Sequence, residues 1–315
     1  MSKDQTRLVG TSGLTMAPLA LGGNVFGWTA DQAASFAILD AFIDAGGAMI
    51  DSADVYSAWV PGHVGGESET VIGNWLKRDP AKRDRVIIAT KVGFMAGLSP
   101  DTIAPACEAS LRRLGVETID LYYQHKDDEG VPLADSLGAF DVLRRAGKIH
   151  SIGLSNFTAP RVEDALDASI ANGFEQPVAL QNWYNLVERG KYEGALQDVT
   201  VGRGLAMFPY YGLANGFLSG KYRSKDDLAQ SPRGLRSMEY LAGKGPRVLA
   251  AMEEVAAETG AAMATVALAW LKVQPGITAP IASATSLKQL EELIAALLLD
   301  LSPGQIEALN AASED

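Results

Sequence analysis

The chain has a single cysteine, Cys107, among 315 residues. It therefore forms no internal disulfide, which suits a reducing compartment. No Cys/His cluster has metal-site spacing, so no metal is expected, and His63, in a glycine-rich loop, reads as a solvated residue. Basic charge is also in deficit. With 27 Lys and Arg against 38 Asp and Glu, the net charge is −11, which argues against nucleic acid and anionic membranes as general partners. That balance still allows a local basic pocket for a phosphorylated cofactor. Long apolar runs are missing too. The longest, "AAMATVALAWL", is too short to span a bilayer and reads as a buried helix. The opening "MSKDQTRLVG" has no apolar h-region, and the expected location is the cytoplasm.

What is present is alternation. The composition, 47% hydrophobic and 21% charged, provides for a large core. Short apolar runs at 19–22, 48–52, 86–91, 118–125, 149–155, 178–182, 205–210 and 278–282 read as strands, mostly one βα unit apart. The run "RVIIATK" is β-branched and nearly unbroken, as in a strand buried on both faces. Ahead of the first strand, "RLVGTSGLTMAPL" reads as a small hairpin.

The intervening segments carry helix punctuation. In "TADQAASFAILDAFIDAGG", Thr29 or Asp31 is the N-cap and Gly46–Gly47 the stop. In "SPDTIAPACEASLRRLG", Ser99 is the N-cap, Pro100 opens the helix and Gly115 ends it. Ile103, Cys107, Ser110, Leu111 and Leu114 share one face there, so Cys107 is expected in the core. Eight such units predict an α/β fold, a (β/α)8 TIM barrel with an N-terminal β-hairpin, as one domain over 1–315. A doubly wound open sheet is the alternative, because periodicity does not count closure. About 70 residues separate the seventh and eighth strands, far beyond an ordinary loop; they begin with a Gly-rich, basic stretch.

The polar residues at strand ends are the candidates for chemistry, since barrel sites form at the carboxyl ends of the strands. The second strand, in "MIDSADVYSAWVPGHVGGES", ends on Asp51, with Tyr56 in the loop. A buried carboxylate costs several kcal/mol unless paired, so Asp51 either caps a turn or belongs to a polar site. The third strand ends on Lys91, the fourth on His125, the fifth on Ser155–Asn156, the sixth on Gln181–Asn182 and the seventh on Tyr210–Tyr211. Singly, each has an ordinary structural explanation; six consecutive strands ending this way point to one shared site. Asp, Tyr, Lys and His on one rim form a proton-transfer set. A nearby ammonium is expected to stabilise the phenolate of Tyr56, with Asp51 holding Lys91.

The ordered segments "LALGGNVFG", "MIDSADVYS", "GGESETVIGNWL", "IIATKVG", "SLRRLGVETIDLYYQH", "GKIHSIGLSNF", "LQNWYNL", "FPYYGLANGFLSGKY" and "PIASATSLKQLEEL" resemble the aldo-keto reductase superfamily over nearly the whole chain, including its channel β-subunit-like branch. The resemblance implies a cytoplasmic oxidoreductase that reduces aldehydes or ketones reversibly with NAD(P)H bound in extended form. It implies Tyr56 as general acid/base, with Asp51, Lys91 and His125 completing a tetrad. NADP(H) is the expected cofactor, with NAD(H) as the alternative.

By the same resemblance, Ser155, Asn156 and Gln181 hold the nicotinamide carboxamide and Tyr210 stacks on its ring, with Gly23, Asn24 and Asp51 also binding the cofactor. The loop formed by Tyr211, Gly212, Leu213, Asn215, Gly216, Ser219 and Lys221 covers the pyrophosphate. Ser283, Thr285 and Gln289 meet the adenosine end. Trp28 and Trp59, in the first two loops, either pack on the rim or line a substrate pocket beside Tyr56 and His125. Two other classes stay open at this stage: a cofactor-binding regulatory subunit on the same barrel, and a glycosidase using Asp127, Asp128 and Glu129.

Overall fold

The fold is seen in a computed structural model, which describes residues 6–314. A hairpin comes first, β1 (Arg7–Leu8) against β2 (Thr15–Met16), antiparallel. Eight parallel strands follow: β3 (Ala20–Gly22), β4 (Met49–Asp51), β5 (Ile87–Val92), β6 (Ile119–Gln124), β7 (Ile149–Ser155), β8 (Ala179–Gln181), β9 (Ala206–Met207) and β10 (Ile281–Ala282). They pair in the order β10-β3-β4-β5-β6-β7-β8-β9. The remaining gap, between β9 and β10, is bridged where Thr278 N donates to Met207 O (2.8 Å) and Ile281 N to Pro209 O (2.9 Å). The sheet therefore closes into a (β/α)8 barrel, and the open-sheet alternative falls.

Helices α1 (Gln32–Asp44), α2 (Glu67–Arg78), α3 (Pro100–Leu114), α4 (Leu133–Arg145), α5 (Ala159–Asn172), α6 (Ala195–Gly202), α7 (Gly245–Thr259), α8 (Met263–Lys272), α9 (Leu287–Leu298) and α10 (Pro303–Ser313) surround it. Asp31 caps α1, accepting from Ala34 N at 2.8 Å. Gly115 ends α3 in the left-handed conformation, and the buried residues of α3 are the five expected from its spacing. Cys107 is buried, and burial pushes its thiol up to about 12, so it packs rather than reacts. The "ATVALAWLK" run of α8 is buried throughout. Among the described residues, no helix is long and apolar enough to cross a membrane.

Strand alternation produces two cores. Met49, Ile87, Ala89, Leu121, Tyr123, Ala179 and Phe208 fill the barrel with the hairpin's Val9 and Met16. Ile50, Ile88, Val92, Tyr122, Ile152 and Leu180 face the helices. A period of two thus commits Asp51 to the side of Met49, and Lys91 to that of Ile87 and Ala89. Tyr123 needs room inside, and Gly153 supplies it: a Cβ there would lie 2.4 Å from the Tyr123 ring.

Two expectations change. The regular seventh strand spans only Ala206–Met207 rather than 205–210, with Phe208 N and Tyr210 N still donating to Leu180 O (2.9 Å) and Asn182 O (3.1 Å), and the eighth spans only Ile281–Ala282. Proline explains the shortening, because Pro209 and Pro280 have no N–H to donate to a ladder. The long interval after the seventh strand contains α7 and α8 as well as the irregular segment 211–244.

A polar seam behind β5 ties two helices to the barrel. Glu69 on α2 is fully buried, accepting from Thr90 Oγ1 (2.6 Å) on β5 and from Arg113 Nε (2.7 Å) on α3. Removing one partner of a buried pair leaves an uncompensated charge. We therefore expect Arg113→Ala to destabilise the chain by about 2–4 kcal/mol, below the top of the usual range because the guanidinium is partly solvated. Urea unfolding measures this; a loss under about 1 kcal/mol would mean the seam contributes little.

Candidate active site

The carboxyl ends of β4 to β8 bring the expected polar residues to one mouth. Asp51 ends β4, Lys91 lies one residue from the end of β5, and His125 follows β6. Lys91 is wholly buried, and its Nζ reaches Asp51 Oδ1 (2.8 Å), Asp51 Oδ2 (2.7 Å) and Ser52 O (2.7 Å). Tyr56 OH lies 3.4 Å from the same nitrogen. Gln181 Nε2 adds a second constraint by donating to Asp51 Oδ1 at 2.9 Å. Tyr56 also sets its ring edge-on to His125, with centroids 5.9 Å apart. Asp, Tyr, Lys and His therefore converge.

The electrostatics differ from the sequence expectation in one respect. Tyr56 is held well above the ordinary phenol range, by burial first and then by the charge of Asp51. An ammonium has three protons, and Asp51 and Ser52 take all of Lys91's close contacts. Raised by burial and the Asp51 charge, the Tyr56 hydroxyl is protonated at neutral pH and stands 3.4 Å from Lys91 Nζ. Burial also lowers Lys91 from its usual value, against the pull of Asp51. His125 is pushed well below the ordinary imidazole range, by burial and then by the Lys91 charge. Its Nδ1 is buried without a hydrogen-bond partner among the described residues. The ring is therefore neutral at neutral pH.

Beside this set, Asn156 stands at positive φ (59°), accepts from Tyr210 OH at 2.6 Å and donates to Ser155 Oγ at 3.1 Å. Ser155, Asn156, Gln181 and Tyr210 thus form one polar shelf next to Asp51. Gly23 N donates to Asp51 O (2.7 Å), and Asn24 Oδ1 accepts from Ser283 Oγ (2.8 Å), joining the first and last barrel loops. Tyr211, Ala214, Asn215 and Gly216 all have positive φ, with Asn215 Oδ1 buried and unpartnered among the described residues. Such a run of left-handed residues is strained and typical of a binding loop. Gly212 is buried at its base; Gly216 N donates to Leu213 O (2.8 Å) and Ser219 Oγ to Gly216 O (2.7 Å). Lys221 is exposed.

Thr285 and Gln289 form their own group: Thr285 N and Oγ1 both donate to Gln289 Oε1 (2.8 and 3.0 Å) while Ser286 caps α9. Lys288 is exposed one residue into that helix, whereas Leu293 is buried in the core. Trp59 lies edge-on to Tyr56 and to Trp28, both at 5.7 Å, and Arg233 sits 5.9 Å over the Trp28 ring. His63 is tied to Ser57 Oγ through Nδ1 at 2.9 Å. The acidic run resolves into structural contacts rather than a second site: Asp127 is doubly bonded by Arg161, and Asp128 accepts from Leu98 N. Among the described residues, no group of three His, Cys, Asp or Glu could hold a metal ion.

Sequence reasoning missed three features of the site. Asp54 is pushed up to about 6, by burial and then by Glu69. Phe94 packs on His125 with centroids 4.8 Å apart. Arg233 comes from the long irregular segment, where no periodicity marks it. Only Phe94 had a signal available, as an aromatic two residues beyond the strand that carries Lys91.

The Aldo/keto reductase family model matches residues 18–314. The Bacillus subtilis (strain 168) protein named "Uncharacterized oxidoreductase YrpG" is 31% identical, over 96% of this chain and 94% of its own length. The Escherichia coli (strain K12) L-glyceraldehyde 3-phosphate reductase is 29% identical, over 93% of this chain and 87% of its own length. The Homo sapiens aflatoxin B1 aldehyde reductase member 4 is 34% identical, over 68% of this chain and 63% of its own length. With a family match over almost the whole chain, on a closed barrel with these residues at its mouth, the chain belongs to the aldo/keto reductase family and is an oxidoreductase.

Proposed function

We propose that this chain reduces aldehydes or ketones to alcohols, and catalyses the reverse, with NAD(P)H as reductant and Tyr56 as proton donor, in the cytoplasm. The observation that carries the reading is the Tyr56 hydroxyl, a neutral donor 3.4 Å from a buried Lys91 that Asp51 holds at both carboxylate oxygens. The names of two relatives, both aldehyde reductases, are in keeping with it.

The residues present fit a nicotinamide cofactor. Ser155, Asn156 and Gln181 offer hydroxyl and amide groups suited to a carboxamide, and Tyr210 offers a half-buried ring. Asn215, its amide oxygen unpartnered in a strained loop, suits a ligand laid across residues 211–221. When bound, the nicotinamide supplies the hydride. Everything else falls to this chain. Tyr56 gives its proton to the carbonyl oxygen as negative charge develops there. Lys91, held by Asp51, offsets the phenolate that Tyr56 leaves behind. Neutral His125 orients the oxygen by hydrogen bonding, and being uncharged it does not compete as the acid.

Loss of a positioned general acid costs about 10² to 10⁴-fold in rate. We expect Tyr56→Phe to lose that much turnover of a simple aldehyde while the dissociation constant for NADPH stays within about twofold. A phenylalanine variant with wild-type turnover would remove Tyr56 from the mechanism. A wild-type chain that binds NADPH but turns over no carbonyl compound would favour a regulatory subunit.

For the adenosine end, the group at the start of α9 provides hydroxyls, an exposed Lys288 and a helix N-terminus. Lysine meets a 2′-phosphate as a point charge without the arginine fork. An exposed ion pair contributes up to about 1 kcal/mol, so NADPH is expected to bind more tightly than NADH by less than about tenfold. Lys288→Ala should narrow the gap, and salt should weaken it. Fluorescence titration with both cofactors measures this; equal constants, or tighter NADH, would show that this end does not recognise the phosphate.

A further inference from the structure

Tyr56 lies beyond the end of β4, so no strand holds it. Its own backbone makes two bonds: Tyr56 N donates to Ala53 O (3.1 Å), and Tyr56 O accepts from Ser68 N (3.3 Å) in the first turn of α2. The next residue, Ser57, is fully buried, and its N–H has no backbone partner among the described residues. It donates instead to Glu67 Oε2 at 3.0 Å. The same oxygen accepts from Gly65 N (3.0 Å), and Glu67 Oε1 accepts from Val64 N (2.8 Å). One carboxylate thus spans both ends of the loop 57–65. Those ends meet, since a Cβ on Gly65 would lie 2.8 Å from Asp54 O. A carboxylate in the first turn of a helix commonly serves the helix itself. Here the three loop donors all precede α2, so the carboxylate serves the loop. Against the cost of burial, the N–H groups of Val64, Glu67 itself and Ser57, with His63 beside them, hold the Glu67 carboxyl below its usual value. His63 Nδ1 ties Ser57 a second time, through Oγ at 2.9 Å. The start of α2 is fixed in turn: Ser68 Oγ donates to Gly23 O (2.8 Å) and accepts from Ser52 Oγ (2.9 Å), beside Asp51.

We propose that Glu67 is a positioning residue: by clasping the loop at Ser57, with His63 as a second tie, it fixes the direction in which Tyr56 presents its hydroxyl to a bound carbonyl. This rests on the reductase reading and extends it to a side chain outside the proton-handling set. Bonds from backbone N–H groups to an ionised carboxylate are among the stronger hydrogen bonds. A glutamine at this position offers one acceptor oxygen to donors on two sides, so it releases one end of the loop. Misplacing a reacting group by about 1 Å costs about 10²-fold in rate. Because Tyr56 is what moves, the loss falls on proton transfer.

The test compares the full chain with its Glu67→Gln variant, using 4-nitrobenzaldehyde and NADPH. In the variant kcat is expected to fall about 10- to 10²-fold, with KM for the aldehyde held within about threefold and the NADPH dissociation constant within about twofold. A double-mutant cycle with Tyr56→Phe, read as single turnovers at high enzyme concentration, separates positioning from general support. Where the phenol is absent, Glu67→Gln should cost less than about twofold more. If Glu67→Gln does not fold, Ser57→Ala, which removes only the His63 tie, carries the same cycle with a smaller loss of about threefold. An unchanged kcat beside an active wild-type chain would overturn the proposal and spare the reductase reading. So would an equal loss in both backgrounds, or a loss confined to KM. A wild-type chain that turns over no aldehyde would overturn the reductase reading and the proposal together.

Discussion

The contact between Lys91 and Asp51 is the constraint on which the site depends. A wholly buried ammonium is tolerable only with excellent pairing, because desolvating two ions costs several kcal/mol each. Here the carboxylate binds at both oxygens, Ser52 O takes a third contact, and Gln181 fixes the carboxylate from across the barrel. Lys91 is left with no freedom to turn elsewhere. The neighbouring Tyr56 hydroxyl lies 3.4 Å from that fixed positive centre. Burial and the neighbouring Asp51 charge keep the phenol protonated.

The barrel makes that contact possible. Its interior is filled by Ile87, Ala89, Leu121, Tyr123 and their neighbours, closed at the amino-terminal end by the hairpin. Strand parity brings Asp51 and Lys91 inward at the top of that column. The buried Glu69 seam holds β5 from outside, through Thr90, the residue next to Lys91. Strand ends thus position Asp51, Lys91 and His125, while the strained run after Tyr210 and the aromatic loops surround the mouth. Such a division suits a barrel scaffold, in which precision comes from strands and selectivity from loops.

Much of this was legible in the sequence. Uninterrupted β-branched runs and Gly-terminated amphipathic segments marked the alternation, and the buried face of α3 followed residue for residue from its spacing. The convergence of Asp51, Tyr56, Lys91 and His125 followed from their places at strand ends. Three things were not legible. Strand lengths near Pro209 and Pro280 depend on which N–H groups the closed ladder needs, and this is a tertiary property. The acidity of Tyr56 depends on how deeply its hydroxyl is buried and how close Asp51 lies, which residue types alone do not determine. Phe94 and Arg233 reach the mouth from loops, where no period indicates direction.

Asp51 and Lys91 form one ion-paired unit, and a double-mutant cycle on turnover tests that most directly. Lys91→Met leaves Asp51 without its counter-charge beside Tyr56, and Asp51→Asn leaves Lys91 without its own, so each single change should cost about 10² to 10⁴-fold in aldehyde reduction. Because both destroy the same arrangement, the double variant is expected to be no slower than the slower single one, within about threefold, as for residues that act together. Losses that multiply in the double variant would contradict the account, since the two side chains would then be contributing independently.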